Sequence, residues 1–402
     1  MDIAAIDSKN AGLRNEKQVI DLIRREGGLS QAQICKKTGL GSSTITYIVG
    51  RLRVKGLIVE KPGHSKKRGA KPVLIDINPA GQFVIGTEIN PSYLLIGLFD
   101  FNCGLVDHIK VSVDMDHSVE NVVHLLEVNI KGLLSKNDIL HDKLTGIGIT
   151  LSGSISSEGA VQLSSSLAWK NVPLKGLLSD KFDWPVDVYT TKVRLLAEMN
   201  VHPPLSSKNI VYLNVANGVG TTVVVDSKLI YGATNRFGEL GHVVVDPEGP
   251  LCGCGHRGCL EAHISGPAIL KKIKHELNAG KHSMLSESLT GQDTPEDLTH
   301  KLKLAIERND SYAIEIREFI ADKLGKSAAI AINLFDPDTL ILAGYVSEMC
   351  ADYFSAHIKS RFETDVYDQA SRNIEVMAAR SGQQALVRGV AAAVSQEQFN
   401  VE

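Results

Sequence analysis

The chain has little of what marks a secreted, membrane-spanning or disordered protein. Charged residues make up only 22% of its 402 positions and aromatics 5%, against 43% hydrophobic, so disorder is excluded and more than one core can be buried. No apolar run approaches the roughly 20 residues that span a bilayer, so no membrane insertion is expected. The opening stretch, MDIAAIDSKNAGLRNEK, lacks the basic head and apolar stretch of a signal peptide, which places the protein in the cytosol. Six cysteines over this length cannot make a disulfide scaffold. Low-complexity tracts and short tandem repeats are also missing.

Charge is unevenly spread. Residues 1–76 hold 15 Lys+Arg against 7 Asp+Glu, and the remainder holds 28 against 39, so a basic front end precedes an acidic body. That front end is a candidate for nucleic acid, where affinity comes mainly from phosphate neutralisation. Three helical patterns run through it: Glu16 to Glu26, then QAQICKKT capped by Ser30, then STITYIVGRLR capped by Ser42 after the break Gly39-Leu40-Gly41. Two β-branched runs, LIVE and VLIDI, then flank a basic loop, KPGHSKKRGAKP. The order predicts a winged helix-turn-helix over residues 1–78. Its reading helix offers Ser42, Ser43, Thr44, Thr46 and Tyr47 to base edges and Arg51 to phosphate, while the wing offers Lys67, Arg68 and Lys71 to a minor groove.

From about Pro79 strands alternate with helices, and the body reads as α/β. Helical stretches are expected around 266–279 and 295–334, with a last one from Gly382 to Gln398. Asn217-Gly218-Val219-Gly220-Thr221-Thr222 falls between two β-rich runs and reads equally as a hairpin turn or as a phosphate cradle.

Three of the cysteines, Cys252, Cys254 and Cys259, crowd into eight positions. With His242 they supply one nitrogen and three sulfurs, the ligand set of a closed structural zinc (Zn2+) site. His256 is an alternative ligand.

Several motifs together resemble the ROK family of bacterial sugar kinases and sugar-responsive repressors: E-x-G-H at Glu239–His242, C-x-C-G-x-x-G-C-x-E at Cys252–Glu261, NLFDP at Asn333–Pro337 and GVAAAV at Gly389–Val394. The resemblance implies an actin-like ATPase body of two ribonuclease-H-like lobes. These would cover 79–190, completed by the C-terminal helix of 382–402, and 191–381. It also implies that Glu239, His242 and Glu261 face sugar hydroxyls or the metal, with Trp169 near the same cleft.

Family kinases carry N-D-A-N where this chain has Thr190 and Thr191 at the Asn and Asp positions. A threonine hydroxyl has no pKa near neutrality and cannot act as base. Asp187, four residues upstream in an extended run, would be about 13 Å away. The kinase motif D-x-G-G-T reads Glu88-Ile89-Asn90-Pro91-Ser92, and the late Gly-Gly reads Ala343-Gly344-Tyr345. Lys192, beside the missing Asp, would favour a phosphorylated or acidic ligand, or simply be solvated. The expectation is therefore a non-enzymatic repressor of sugar-related genes, a homodimer or homotetramer on a palindromic operator, with a sugar or sugar-phosphate effector. An ATP-dependent sugar kinase carrying a DNA-binding domain, and a repressor controlled only by a partner such as a sugar-transport protein, are the alternatives.

Overall fold

Apolar stripes at helical spacing shape the front of the molecule. The computed structural model describes residues 3–63, 73–113, 116–164, 166–200, 205, 207–226, 228–233 and 236–397. Helix α1 (Ile3–Glu26) buries Val19, Ile20, Leu22 and Ile23. Helix α2 (Gln31–Thr38) starts at a capping box: the Ser30 hydroxyl accepts from the Gln33 N–H, and the Gln33 side chain accepts from the Ser30 N–H. Gly39 closes α2 in the left-handed conformation that only glycine adopts without strain. Helix α3 (Ser42–Val54) begins one position earlier than expected, with Gly41 as N-cap, so Ser42 lies inside the helix and does not cap it. Strands β1 (Ile58–Pro62) and β2 (Val73–Ile77) pair antiparallel, Ile58 opposite Ile77, as the flanks of a wing.

The whole chain divides into two units, Met1–Leu205 with Gln383–Glu402, which includes this front end, and Ser206–Gly382. In the first unit β3 (Phe83–Ile89), β4 (Tyr93–Asp100) and β5 (Leu105–Ser112) form an antiparallel meander. Helix α4 (Val119–Lys136) then leads to β6 (Leu144–Leu151), which lies parallel to β3. A small sheet follows, made of β7 (Ser154–Ile155), β8 (Val161–Ser164) and β9 (Trp169–Val172). After α5 (Leu174–Ser179), β10 (Val186–Thr190) joins β6 in parallel, and α6 (Arg194–Asn200) leaves the sheet. The main strand order is β10-β6-β3-β4-β5. The C-terminal helix, Ala385–Glu397, returns to this sheet, and it does so at backbone contact. A Cβ on Gly86 would stand 2.2 Å from the Val387 carbonyl oxygen, and one on Gly389 2.0 Å from that of Val193.

One tie between the front end and the sheet of this unit is a residue of the β4–β5 turn. Phe101 is buried in the core of α1–α3 and the wing strands, the Arg24 guanidinium lies 4.4 Å from its ring centroid, and Arg24 donates to its carbonyl at 2.7 Å.

The second unit repeats the strand pattern. Its strands β11 (Ile210–Val215), β12 (Val219–Val225) and β13 (Lys228–Leu229) again form an antiparallel meander. The helices α7 (Leu260–Ile264), α8 (Gly266–Asn278), α9 (Leu285–Ser288), α10 (Pro295–Glu307) and α11 (Ser311–Phe335) come before β14 (Thr339–Ala343). Then α12 (Tyr345–Glu348), α13 (Ala351–Ser360) and α14 (Phe362–Asp365) lead to β15 (Glu375–Ala378). Strand order is β13-β12-β11-β14-β15, with β11, β14 and β15 parallel. In both units a three-strand meander is thus extended by two parallel strands, the ribonuclease-H-like pattern. The stretch 295–334 is two helices, because Asn309 turns left-handed at φ 59° and Asp310 caps α11 through the Ala313 N–H.

Candidate nucleic-acid interface and metal loop

Buried Ile45, Ile48, Val49 and Leu52 hold one face of α3 against the core, which leaves the opposite face to solvent. Ser42, Ser43, Thr46 and Tyr47 are exposed on it and Thr44 is half-buried. Arg51 follows one turn after Tyr47, its guanidinium 5.8 Å from the Tyr47 ring centroid. Thr46 donates its hydroxyl to the Gln31 carboxamide of α2 at 3.1 Å. The wing residues Lys67, Arg68 and Lys71 lie outside the described residues.

One contributor escapes the sequence reading. Glu16 of α1, 1% exposed, faces α3 and holds Arg51 at 3.0 Å and Lys55 at 3.2 Å. A single buried carboxylate therefore orients two cations four residues apart on the flank of α3. The only hint in the sequence is an acid on the apolar stripe Glu16, Val19, Ile20, Ile23.

The metal loop grows from short-range turns. His242 ends a 3₁₀ turn at Leu240–His242, and Cys259 sits at the N-cap of α7. Between them Val244 bridges Cys259, Leu251 bridges Arg257, and the Cys252 N–H donates to the His256 carbonyl at 2.8 Å. Gly258 makes the crossing possible. Its φ is +71°, and a Cβ there would stand 1.5 Å from the Asp246 carbonyl oxygen.

These turns bring His242, Cys252, Cys254 and Cys259 together, with all four ligand atoms within 4.8 Å of one another. Cys252 Sγ is 3.7 Å from His242 Nδ1, and Cys254 Sγ is 3.6 Å from Cys259 Sγ. A tetrahedral ion with ligands at about 2.0–2.3 Å has edges of about 3.3–3.8 Å, so the donor set fits such a metal. The alternative ligand His256 lies outside this group; its Nδ1 is 3.5 Å from Cys254 Sγ. Hydrogen bonds from His256, backbone first and then side chain, lower the Cys254 thiol to about 6. Burial pushes the thiols of Cys252 and Cys259 up, a penalty that a cation between the thiolates offsets.

Glu261 stands beside the cluster. Its Oε2 accepts the Val219 N–H at 2.9 Å, and its Oε1 is 4.0 Å from Cys252 Sγ. Strands β11 and β12 meet in a hairpin at Ala216–Gly218, where the Ala216 N–H donates to the Gly218 carbonyl at 2.9 Å. A carboxylate oxygen thus occupies an amide that a phosphate cradle would offer. Glu239, exposed, precedes the His242 turn. Trp169 belongs to the first unit, where its indole is 4% exposed and donates its N–H to the His117 carbonyl at 2.7 Å.

The other phosphate-loop positions are likewise engaged. At the β3–β4 tip the Asn90 and Tyr93 amides bond each other's carbonyls at 2.9 and 3.2 Å, the Ser92 amide bonds Asn90 Oδ1 at 3.1 Å, and Pro91 has no amide. Glu88, just before, is buried, and burial raises its carboxyl pKa despite the cation of Arg194. Asp187 pairs with Lys175 at 2.5 Å, Thr190 is half-buried and Thr191 exposed. Tyr345 donates its hydroxyl to Asn217 Oδ1 at 2.6 Å and packs on Gly266, where a Cβ would stand 2.2 Å from that hydroxyl.

Known proteins resemble the chain along nearly all of its length. The model of the ROK family matches residues 93–397, and that of the MarR family matches 13–69. A putative xylose repressor of Caldicellulosiruptor sp. (strain Rt8B.4) is 26% identical over 385 residues, covering 94% of this chain and 95% of the relative. The DNA-binding transcriptional dual regulator NagC of Escherichia coli (strain K12) is 26% identical over 339 residues, 83% of this chain and 81% of its own. The crystal structure of a ROK family transcriptional regulator, a homolog of the E. coli MLC protein, superposes with a TM-score of 0.83 at 26% identity, covering 97% of both chains. The fold is a winged helix followed by an actin-like ATPase body, and the chain belongs to the ROK family.

Proposed function

We propose that this chain is a DNA-binding transcriptional repressor of sugar-related genes, acting in the cytosol, whose body binds an effector without phosphorylating it. The observation that carries this reading is the exposed polar and basic face of α3, set on a chain similar nearly end to end to proteins named as repressors. Ser42, Ser43, Thr46 and Tyr47 would read base edges, and Arg51 with the wing's Lys67, Arg68 and Lys71 would hold phosphates. A homodimer places two reading helices on a palindromic operator. In the body, Glu239, His242 and Glu261 would meet a sugar or sugar-phosphate effector.

Turnover is disfavoured on two grounds. The β3–β4 tip keeps its amides for itself, so no backbone donors face a nucleotide's phosphates there. Thr190 and Thr191 stand where the family's kinases carry Asn and Asp, and the nearby carboxylate of Asp187 is held by Lys175. The four-ligand cluster suits structural zinc, which when bound would staple the loop that presents Glu239 and Glu261; with four protein ligands it leaves no open position.

Selection of bound duplexes from genomic fragments, followed by anisotropy titrations between about 50 and about 200 mM salt, tests the reading. Each phosphate contact should add about −0.9 to the slope of log K against log salt. A flat response, or equal affinity for unselected DNA, would sink it. Hexose-dependent ADP formation that disappears in Glu239→Ala would instead favour a kinase.

A further inference from the structure

The second unit holds a cavity of about 670 Å3, within the range of small-molecule sites, that touches the metal cluster only through Cys252 and extends from there along α8. One wall is the loop Pro250–Gly253; another is a single face of α8, where Ala268, Lys271, Lys272 and His275 recur at helical spacing. Glu261 contributes to the rim, whereas Glu239 and His242 are not among the residues that line it.

The lining is mostly apolar, with Pro250, Leu251, Ala262, Pro267 and Phe319 as its body. Its charges are sorted. Glu276 is neutralised by Lys272 at 2.5 Å and by the Tyr312 hydroxyl at 2.8 Å. Glu261 is held by the Val219 amide. Lys271 and His275, one turn apart on α8, have no side-chain partner among the described residues. His263, also in the wall, is 7% exposed, and its Nε2 has no hydrogen-bond partner, the nearest carboxylate oxygen, of Asp246, being 3.9 Å away. The exposed charges left without a partner are therefore those of Lys271 and His275, beside the apolar part of the lining.

We propose that this cavity is a ligand site for a small organic anion: an apolar or aromatic body bearing one carboxylate or phosphate. The body lies against the Leu251 and Phe319 surfaces, and the head meets Lys271 and His275. A free sugar would leave the Leu251 and Phe319 surfaces and the charges of Lys271 and His275 unmatched. The inference goes beyond the repressor reading and needs no DNA to be tested.

Calorimetric titration of the full chain with 1-naphthyl phosphate, 1-naphthoate, 1-naphthol and inorganic phosphate separates body from head. At least one of the two naphthyl anions should bind at least tenfold more tightly than naphthol or inorganic phosphate, and which one it is identifies the head. Lys271→Glu, at an exposed position, should weaken the anion at least tenfold and leave naphthol unchanged, while Ala268→Trp should remove both. The proposal is overturned if neither anion binds, if Lys271→Glu has no effect, or if glucose 6-phosphate binds as tightly as the naphthyl anions. DNA affinity is scored separately on the same preparation, so failure here leaves the repressor reading standing, and the reverse also holds.

Discussion

Glu16 shows how much one side chain can settle about an interface it never touches. Breaking a buried ion pair typically costs about 3–5 kcal/mol when the surviving charge stays buried. Arg51 and Lys55 are each about two-fifths exposed and can rehydrate, so the loss in Glu16→Gln should be well below that. Removing one negative charge should raise affinity for any duplex, while freeing Arg51 and Lys55 from fixed directions should lower discrimination. Specific and non-specific dissociation constants measured side by side should therefore converge in Glu16→Gln; an unchanged ratio would show that the clamp has no part in recognition. Gly258 is the counterpart in the metal loop. Gly258→Ala should abolish metal retention, read as metal content after gel filtration, because no rotamer of a Cβ relieves a 1.5 Å overlap with backbone. The clustering of His242, Cys252, Cys254 and Cys259 was legible in the sequence because thiols at C-x-C-x4-C spacing are rare by chance. Glu16 was not, since a lone acid in a basic segment reads as a solvated charge until the packing of α1 against α3 is known.

At the scale of elements, local chemistry predicted local structure well and contacts between elements poorly. The Ser30 capping box and the two wing strands follow from residues a few positions apart. The anchoring of the reader through Phe101 does not, because it joins a strand turn to a core formed some eighty residues earlier. Phe101→Ala should cost about 3–5 kcal/mol and show in calorimetry as a separate, lower transition for the reader. A single unshifted transition would mean that Phe101 is not the anchor. The closed β3–β4 tip was visible only as a proline in place of glycine, and its neighbour Glu88 gives a pH test. Its folded pKa is raised by burial, so the stability tied to its neutral form is full below the unfolded carboxylate range and lost as pH rises through the raised value. Glu88→Gln cannot ionise; it should equal the wild type in urea unfolding at about pH 4 and exceed it at about pH 8. Equal stabilities at both pH values would show that Glu88 is not strained by its charge.

For the whole molecule, the alternation of strands and helices announced an α/β body, but only the pairing shows the same five-strand order used twice. All four residues of the candidate metal cluster belong to the second of these units, and that unit has its own large core around α11 and strands β11, β12 and β14. Metal loss should therefore loosen the loop 242–259 rather than unfold the unit, unlike a zinc finger, whose entire fold rests on about 10–16 kcal/mol of metal binding. Thiolate ligands compete with protons, so metal should also leave as pH falls. Chelation or mild acid should release one metal per chain and open the loop to limited proteolysis. The second unit's thermal transition should drop modestly, while non-specific DNA binding by the reader, which shares no residue with the cluster, persists. A chelated chain that melts unchanged and resists cleavage between His242 and Cys259 would mean that these four side chains hold no metal.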